Sequence, residues 1–220
     1  MSQESEKAVA GNPQNVFNNP NQQCYTQFFV GGQPPQGLRD GITLQRMRYI
    51  CQQGNQQGNQ QTFFGTMFDE LLGIPLFSAY TLSGPVDVNF QQRNAHHWMQ
   101  TPGIQTQGSD AIYPSIPYDK GHLVPSHTYS STQQRHRSTY TFTNAVPQRP
   151  TFNRGQWSQF EGRIRDYAEH TCIPPPVSGV LYLLTGSSFA HIVQQGNNPP
   201  QANAALQVCK YCLQFKITPP

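Results

Sequence analysis

The sequence predicts an α+β domain, because strand-like runs lie on both sides of one helix-like stretch. Residues 63–68 and 74–82 are rich in β-branched and aromatic side chains and are separated by a turn at Leu72-Gly73, which predicts a hairpin. In residues 153–169, apolar side chains recur every three or four positions, which predicts an amphipathic helix. Strands before and after one long helix are typical of an α+β domain and not of a doubly wound one.

The other elements are predicted from shorter patterns. The short run at residues 139–142 predicts a strand, and residues 177–185 predict a buried strand after a Pro-Pro-Pro break. A final strand is predicted at 207–215. The low-complexity run QQGNQQGNQQ at 52–61 predicts a flexible loop, and residues 83–118 predict long surface connections.

The 220 residues are enough for one domain. Residues 1–23 are polar and poor in aromatic side chains, which predicts a loosely ordered N-terminal arm, and residues 24–220 are expected to form the single domain. No apolar stretch reaches about 18 residues, so we expect no membrane span. The N-terminal residues contain no hydrophobic signal core.

Charge alone does not identify a partner. The net charge is +3 and the pI is about 8.6, which is milder than the strongly basic fields of dedicated nucleic-acid-binding proteins. Charged residues make up only 11% of the chain, and Gln and Asn provide most of its polarity. This composition indicates a folded domain with polar, uncharged loops.

Five cysteines, at positions 24, 51, 172, 209 and 212, favour disulfides and an oxidising, extracellular compartment. We expect Cys24 to pair with Cys51, and Cys172 to pair with Cys209 or Cys212, which leaves one thiol over. No C-x-x-C pair repeats, so the usual spacing of a four-cysteine zinc site is missing. Cys209 and Cys212 have the spacing of a redox motif, but no βαβ pattern surrounds them.

Three motifs carry the chemistry. The sequence reads Y-D-K-G-H-L-V-P-S-H at 118–127, T-N-A-V-P-Q at 143–148, and F-N-R-G-Q-W at 152–157, followed by Glu161. In these motifs the chain resembles the DNA/RNA non-specific endonuclease family, whose fold is the ββα-metal (His-Asn) type with a central antiparallel sheet and a long metal-site helix. F-F-V-G-G-Q-P-P at 28–35 and L-Y-L-L-T-G at 181–186 resemble the endonuclease domain-containing protein 1 subgroup most closely.

The resemblance implies a metal-dependent, sequence-nonspecific hydrolysis of DNA and RNA to 5′-phosphate products. A free histidine titrates near ~6.5, so His122 is suited to act as the general base. Asn153 offers an amide oxygen to Mg²⁺, with Mn²⁺ or Ca²⁺ as substitutes. The family pattern gives Glu161 the task of holding water in the outer shell of the metal. Asn144 is implied to orient the histidine or the substrate.

Basic and acidic neighbours complete the implied site. Asp119 and Lys120 belong to the D-K-G-H motif, where Lys120 replaces the family's Arg and keeps the charge without the bidentate fork. Arg165 is expected to pair with Glu161 or to contact phosphate. The candidate substrate-binding residues are Arg93, Arg149 and Arg154.

Two other function classes compete with the enzyme. A catalytically silent nuclease fold would serve as an extracellular binding or structural protein, and a nucleic-acid-binding module would bind with steep salt dependence and no hydrolysis. Residue by residue, His122 alone would be a structural histidine, Asn153 a helix N-cap and Glu161 a solvated helix residue. The combined motifs favour the enzyme.

Overall fold

The structure is a computed structural model that describes residues 15–34, 46–56, 58–113, 117–193 and 201–207. The strands are β1 (Val16–Phe17), β2 (Met47–Gln56), β3 (Asn59–Asp69), β4 (Ile74–Ser83), β5 (Asp119–His122), β6 (Ala145–Gln148), β7 (Val180–Gly186), β8 (Ser188–Val193) and β9 (Gln201–Gln207). The α-helices are α1 (Gln23–Thr26), α2 (Gly84–Asp87), α3 (Gln133–Ser138) and α4 (Ser158–Tyr167). The predicted α+β class is confirmed.

An antiparallel sheet in the order β1-β2-β3-β4-β7 forms the centre of the molecule. Both of its faces are covered. Along β4, Phe77 and Ala79 pack with the aromatic side chains at 25–29, while Tyr80 and Leu82 pack with apolar side chains of the helical segment at 164–172. Because side chains alternate across a strand, these two sets lie on opposite faces of the sheet.

The hairpin prediction is confirmed by β3 and β4. Asp69 Oδ1 accepts hydrogen bonds from the backbone N–H groups of Leu71 and Leu72, both at 3.0 Å, and Gly73 adopts φ of 68°. Glycine takes this left-handed conformation without steric cost. An aspartate that bonds its own following backbone and a glycine together close the turn.

The flexible loop predicted at 52–61 is wrong. Gln53 pairs with Thr62 and Asn55 with Gln60, so the run forms the projecting end of the β2–β3 hairpin, with Gly58 (φ 83°) in its turn. Ladder hydrogen bonds use the backbone and do not require β-branched side chains. Composition therefore misled the prediction.

The second layer consists of the β5–β6 pair and the long helical segment that follows it. The strand predicted at 139–142 is wrong, because 142–144 form a 3-10 turn and the strand follows as β6. The predicted helix is confirmed as α4, extended by wide π-helical turns at Phe152–Trp157 and Ala168–Cys172. The predicted strand at 177–185 is confirmed as β7.

The ends of the chain correct two boundaries. Val16–Phe17 pair with β2, so the predicted arm is wrong for the residues from 15 onwards. Residues 188–193 and 201–207 pair as strands, and the strand predicted at 207–215 lies almost entirely outside the described residues. Within the described part of the chain, no helix is long and apolar enough to cross a membrane.

The Cys24–Cys51 disulfide is present and ties α1 to β2. Cys172 is buried, and its two predicted partners, Cys209 and Cys212, lie outside the described residues.

Candidate active site

Strand β5 carries the D-K-G-H motif and pairs with β6, so that Asp119 lies opposite Gln148. Lys120 and His122 share one face of β5, because side chains alternate along a strand. A Cβ atom at position 121 would lie 2.1 Å from Gln148 Oε1, and Gln148 is fully buried. Gly121 is therefore required by the close approach of the Gln148 side chain.

His122 lies among aromatic rings. Its ring centroid is 4.6 Å from that of Trp98 and 4.7 Å from that of Tyr140. Burial, followed by the charges of His136 and Lys120, lowers the pKa of His122 to about 3. The imidazole is thus neutral at physiological pH, as a general base must be, although a lowered pKa also makes it a weaker base.

Asp119 connects β5 to the helical segment. Its Oδ2 accepts hydrogen bonds from Asn153 Nδ2 (3.0 Å) and Arg154 Nε (2.8 Å), and its Oδ1 accepts one from Arg154 Nη2 (2.6 Å). Burial acts to raise the pKa of Asp119, but the hydrogen bonds from Arg154 and Asn153 outweigh it and lower the pKa. An ionised carboxylate only accepts hydrogen bonds, so Asn153 turns its amide nitrogen towards Asp119 and keeps Oδ1 for another partner.

The π-helical turn Phe152–Trp157 holds Asn153. Asn153 N–H donates to Arg149 O at 2.8 Å, which places Asn153 inside the first turn, and its side chain bonds Asp119 instead of a backbone N–H. The alternative that Asn153 is the N-cap is therefore wrong. Gly155 departs from helical geometry (φ −107°, ψ −105°), and such wide turns frequently occur at functional sites.

Glu161 lies half-buried on α4. Burial raises the pKa of Glu161 to about 7, while the Arg165 charge and the Trp157 side chain act in the opposite direction. Arg165 Nη1 donates to Thr128 Oγ1 at 3.4 Å. Glu161 therefore differs from an ordinary solvated helix carboxylate, because it carries a proton over much of the acidic range.

Asn144 is fully buried and all four of its amide hydrogen-bonding positions are used. Its Oδ1 accepts from Val124 N (2.9 Å) and Ser78 Oγ (3.2 Å), and its Nδ2 donates to Val124 O (3.2 Å) and Thr139 O (2.9 Å). No position is left for a substrate atom. Asn144 fixes the backbone that follows His122, and any influence on the histidine passes through that backbone.

Lys120 has partners of its own. Its Nζ lies 2.7 Å from Asp110 Oδ1, and it lies 5.4 Å from the ring centroid of Trp98 and 5.7 Å from that of Phe142. Cation–π contacts and an ion pair thus hold the ammonium group close to the ring that contacts His122.

The three candidate phosphate-binding arginines differ in their surroundings. Arg93 Nε donates to Ser130 O (2.6 Å) and Arg93 Nη2 donates to Ser131 O (3.2 Å), so Arg93 stabilises the backbone at residues 130–131. Arg154 is 73% exposed while bound to Asp119. Arg149 is exposed at the start of the helical segment.

His96 and His136, which no motif identified, lie beside the candidate base. Their ring centroids are 5.1 Å apart, and both contact the Tyr140 ring. Burial, and then the charges of His96 and Arg93, lower the pKa of His136 to about 4. Only the adjacency of His96 to Trp98 could have indicated this cluster, because the residues have no metal-ligand spacing.

The donor set fits Mg²⁺ better than zinc. No group of three or more His, Cys, Asp or Glu side chains among the described residues is placed to hold a metal ion. Mg²⁺ usually keeps several waters and takes one or two protein ligands besides phosphate. The Oδ1 atom that Asn153 keeps free of Asp119 suits such a site.

Two known proteins that are similar to this chain are named as nucleases. A nuclease of Nostoc sp. is 34% identical over 26% of this chain and 20% of its own length. A salivary endonuclease of Lutzomyia longipalpis is 25% identical over 51% of this chain and 32% of its own length. This chain thus spans less than a third of each of these two relatives.

A solved structure of the EndoG/EndoGI complex aligns with a TM-score of 0.49 and 16% identity, over 70% of this chain and 60% of the other. The model of the family described as DNA/RNA non-specific endonuclease matches residues 45–196, which include β5, β6 and α4. The chain therefore belongs to the DNA/RNA non-specific endonuclease family.

Proposed function

We propose that this protein is a metal-dependent endonuclease that hydrolyses phosphodiester bonds of DNA and RNA without sequence preference and leaves 5′-phosphate products. The hydrogen bond from Asn153 Nδ2 to Asp119 Oδ2 carries the proposal, because it presents an amide oxygen beside the strand that holds a neutral histidine. The match of residues 28–35 and 181–186 to endonuclease domain-containing protein 1 supports membership of that subgroup.

His122 takes the proton of the attacking water. Its Nε2 is buried without a hydrogen-bond partner among the described residues, which leaves Nδ1 as the nitrogen for water. Trp98 and Tyr140 fix the ring from two sides, so little reorganisation is needed. General base catalysis of this kind contributes roughly 10²–10⁴-fold in rate.

Asn153 would hold the cation, Mg²⁺ or in its place Mn²⁺ or Ca²⁺, through Oδ1. When bound, such an ion stabilises negative charge on the phosphate and on the departing 3′ oxygen. Glu161, two turns beyond Asn153, accepts hydrogen bonds from nearby water once it is ionised. Lys120 and Arg165 supply positive charge close to the reacting phosphate.

Arg149 and Arg154 are exposed at the start of the helical segment and contact the phosphates of flanking nucleotides. Arg93 contributes charge, with most of its donors committed to the protein. Together these groups favour the polyanionic backbone and not particular bases, since backbone contacts carry no direct sequence information.

Secretion is part of the proposal. The Cys24–Cys51 disulfide is a feature of oxidising compartments, and one relative is a salivary endonuclease.

The test is plasmid cleavage by the purified protein with Mg²⁺ and with EDTA, for the parent and for His122→Ala and Asn153→Ala. Metal-dependent nicking that both substitutions abolish is the expected result. His170→Ala, on an exposed side chain near the end of the helical segment, is the matched control and should cut like the parent. A folded parent that cuts with none of Mg²⁺, Mn²⁺ and Ca²⁺ would instead indicate a silent nuclease fold.

A further inference from the structure

A pocket of about 640 Å³ lies on the other side of the Trp98 and Tyr140 backbone from His122. Most of its wall consists of the edge of β2 from residue 51 to 55, the segment 99–102 and one side of α3, and Asn15, Val16 and Gln60 also line it. Among the described residues, β1 pairs with Tyr49 and Ile50, and no described strand pairs with this edge of β2 beyond Ile50. The volume is within the range of small-molecule sites, roughly 300–1,000 Å³.

The pocket combines apolar surface with amide and hydroxyl side chains. Among its described lining residues none carries a carboxylate, and Arg137 is the one charged side chain. Gln52, Gln53 and Gln100 contribute amide side chains, which both donate and accept hydrogen bonds. Such a lining favours an anionic ligand that also bears hydrogen-bonding rings.

Thr141 contributes a second, independent observation at this pocket. It lines the pocket, is 3% exposed, and its Oγ1 has no hydrogen-bond partner among the described residues. A buried hydroxyl without a partner destabilises the folded protein. A ligand group that bonds it would remove this cost.

The pocket is linked to the candidate base, His122, through adjacent backbone residues. Met99 and Thr141 form a β-bridge, and both line the pocket. Their neighbours Trp98 and Tyr140 contact His122. Since successive side chains in extended backbone point to opposite sides, the pocket and His122 lie back to back across one layer of backbone.

We propose that this pocket is a strand-binding subsite that takes one nucleotide of a bound DNA or RNA strand, outside the cleaved bond. The Gln side chains hold the base, Arg137 contacts its phosphate, and Thr141 Oγ1 bonds the sugar or the base. The proposal rests on the proposed function for its substrate, and it gives the Gln-rich hairpin of β2 and β3 a role. Amide side chains pair with base edges in many complexes, which suits them to this task.

The test uses the His122→Ala protein in EDTA, so that binding is measured without cleavage. Fluorescence anisotropy with a labelled single-stranded oligonucleotide of about twelve nucleotides measures affinity and its salt dependence. Arg137→Gln should weaken binding about tenfold and reduce the slope of log K against log salt by about 1. Thr141→Val, which keeps the shape and removes the hydroxyl, should weaken binding about fivefold without lowering the melting temperature.

Arg163→Gln is the matched charge control. Arg163 is exposed, and it lies two residues from Glu161 and therefore on the opposite side of α4. The Arg163→Gln variant, made in the His122→Ala protein, should bind the oligonucleotide as tightly as the His122→Ala protein alone. NMR titration of the same parent with thymidine 5′-monophosphate should shift the backbone amide signals of 52–55, 99–101 and 137–138.

The outcomes separate the subsite from the enzyme. Unchanged affinity in both Arg137→Gln and Thr141→Val would overturn the subsite, even if the wild-type protein cuts DNA. Weakened binding together with the amide shifts would support the subsite, even if the wild-type protein shows no cleavage and the proposed function fails.

Discussion

Replacing Glu161 by Gln should stabilise the protein at neutral and alkaline pH. Burial raises the pKa of this carboxyl from 4.5 to about 7, against the opposing charge of Arg165. The folded state therefore disfavours the ionised form of Glu161. Gln has the shape of the protonated side chain and does not titrate.

The size of the stability difference follows from the pKa of Glu161 in the unfolded chain, 4.5, and in the folded protein, about 7. Below pH 4.5 the side chain is protonated in both the folded and the unfolded state, and no stability is lost. As the pH rises, the unfolded chain releases its proton first, so the wild-type protein loses stability until the folded pKa of about 7 is passed. At about 1.4 kcal/mol per pKa unit, the loss is about 1 kcal/mol at pH 5 and about 3 kcal/mol at pH 8.

Urea denaturation of the wild type and Glu161→Gln in EDTA, at pH 5 and pH 8, measures this difference. The variant should be more stable at both values, with the gap widening by about 2 kcal/mol. Glu169→Gln, an exposed carboxyl near the end of the same helical segment, is the control and should show no such widening. A gap that is the same at both pH values would refute the reasoning, because burial would then not be raising the pKa.

Three further predictions concern the site and its frame. Asp119→Asn should reduce cleavage about 10–100-fold and raise the Mg²⁺ concentration needed, because the Asn153 amide loses the carboxylate that accepts its hydrogen bond and fixes its orientation. An unchanged Mg²⁺ dependence of cleavage would contradict this prediction. Gly121→Ala should destabilise the fold by about 1–3 kcal/mol in urea denaturation, since the added Cβ would lie 2.1 Å from Gln148 Oε1; a wild-type midpoint would show that this side chain moves aside freely. Cys24→Ala with Cys51→Ala should cost about 3.5 kcal/mol, the loop-closure value for a separation of 27 residues, and reduction of the wild type should match it.

Much of the fold was predictable because local patterns and tertiary structure agree. The β3–β4 hairpin and β7 form where strand-like runs predict them, and the apolar stripe of α4 packs against the core with Ile164 buried. The failures occur where backbone pairing overrides composition. The Gln-rich run at 52–61 forms strand because its neighbours already pair, and the strand expected at 139–142 moves to β6 because 142–144 turn tightly.

The candidate site was predictable as a set of residues but not as a set of contacts. His122, Asn153 and Glu161 were identified from motifs, yet the ion pair of Lys120 with Asp110 and the hydrogen bonds of Asn144 to Val124, Ser78 and Thr139 had no signal in the sequence. Such contacts join positions far apart in the chain, and no local spacing reports them.

The sequence by itself determined the family, the hairpin, the helix and the identity of the chemical groups, because each depends on residue types at short, fixed spacings. The tertiary structure alone decided the protonation state of those groups, since a pKa depends on burial and on charges brought together by folding. It also decided which atom of Asn153 faces outward, since only the approach of Asp119 to the helical segment fixes that amide.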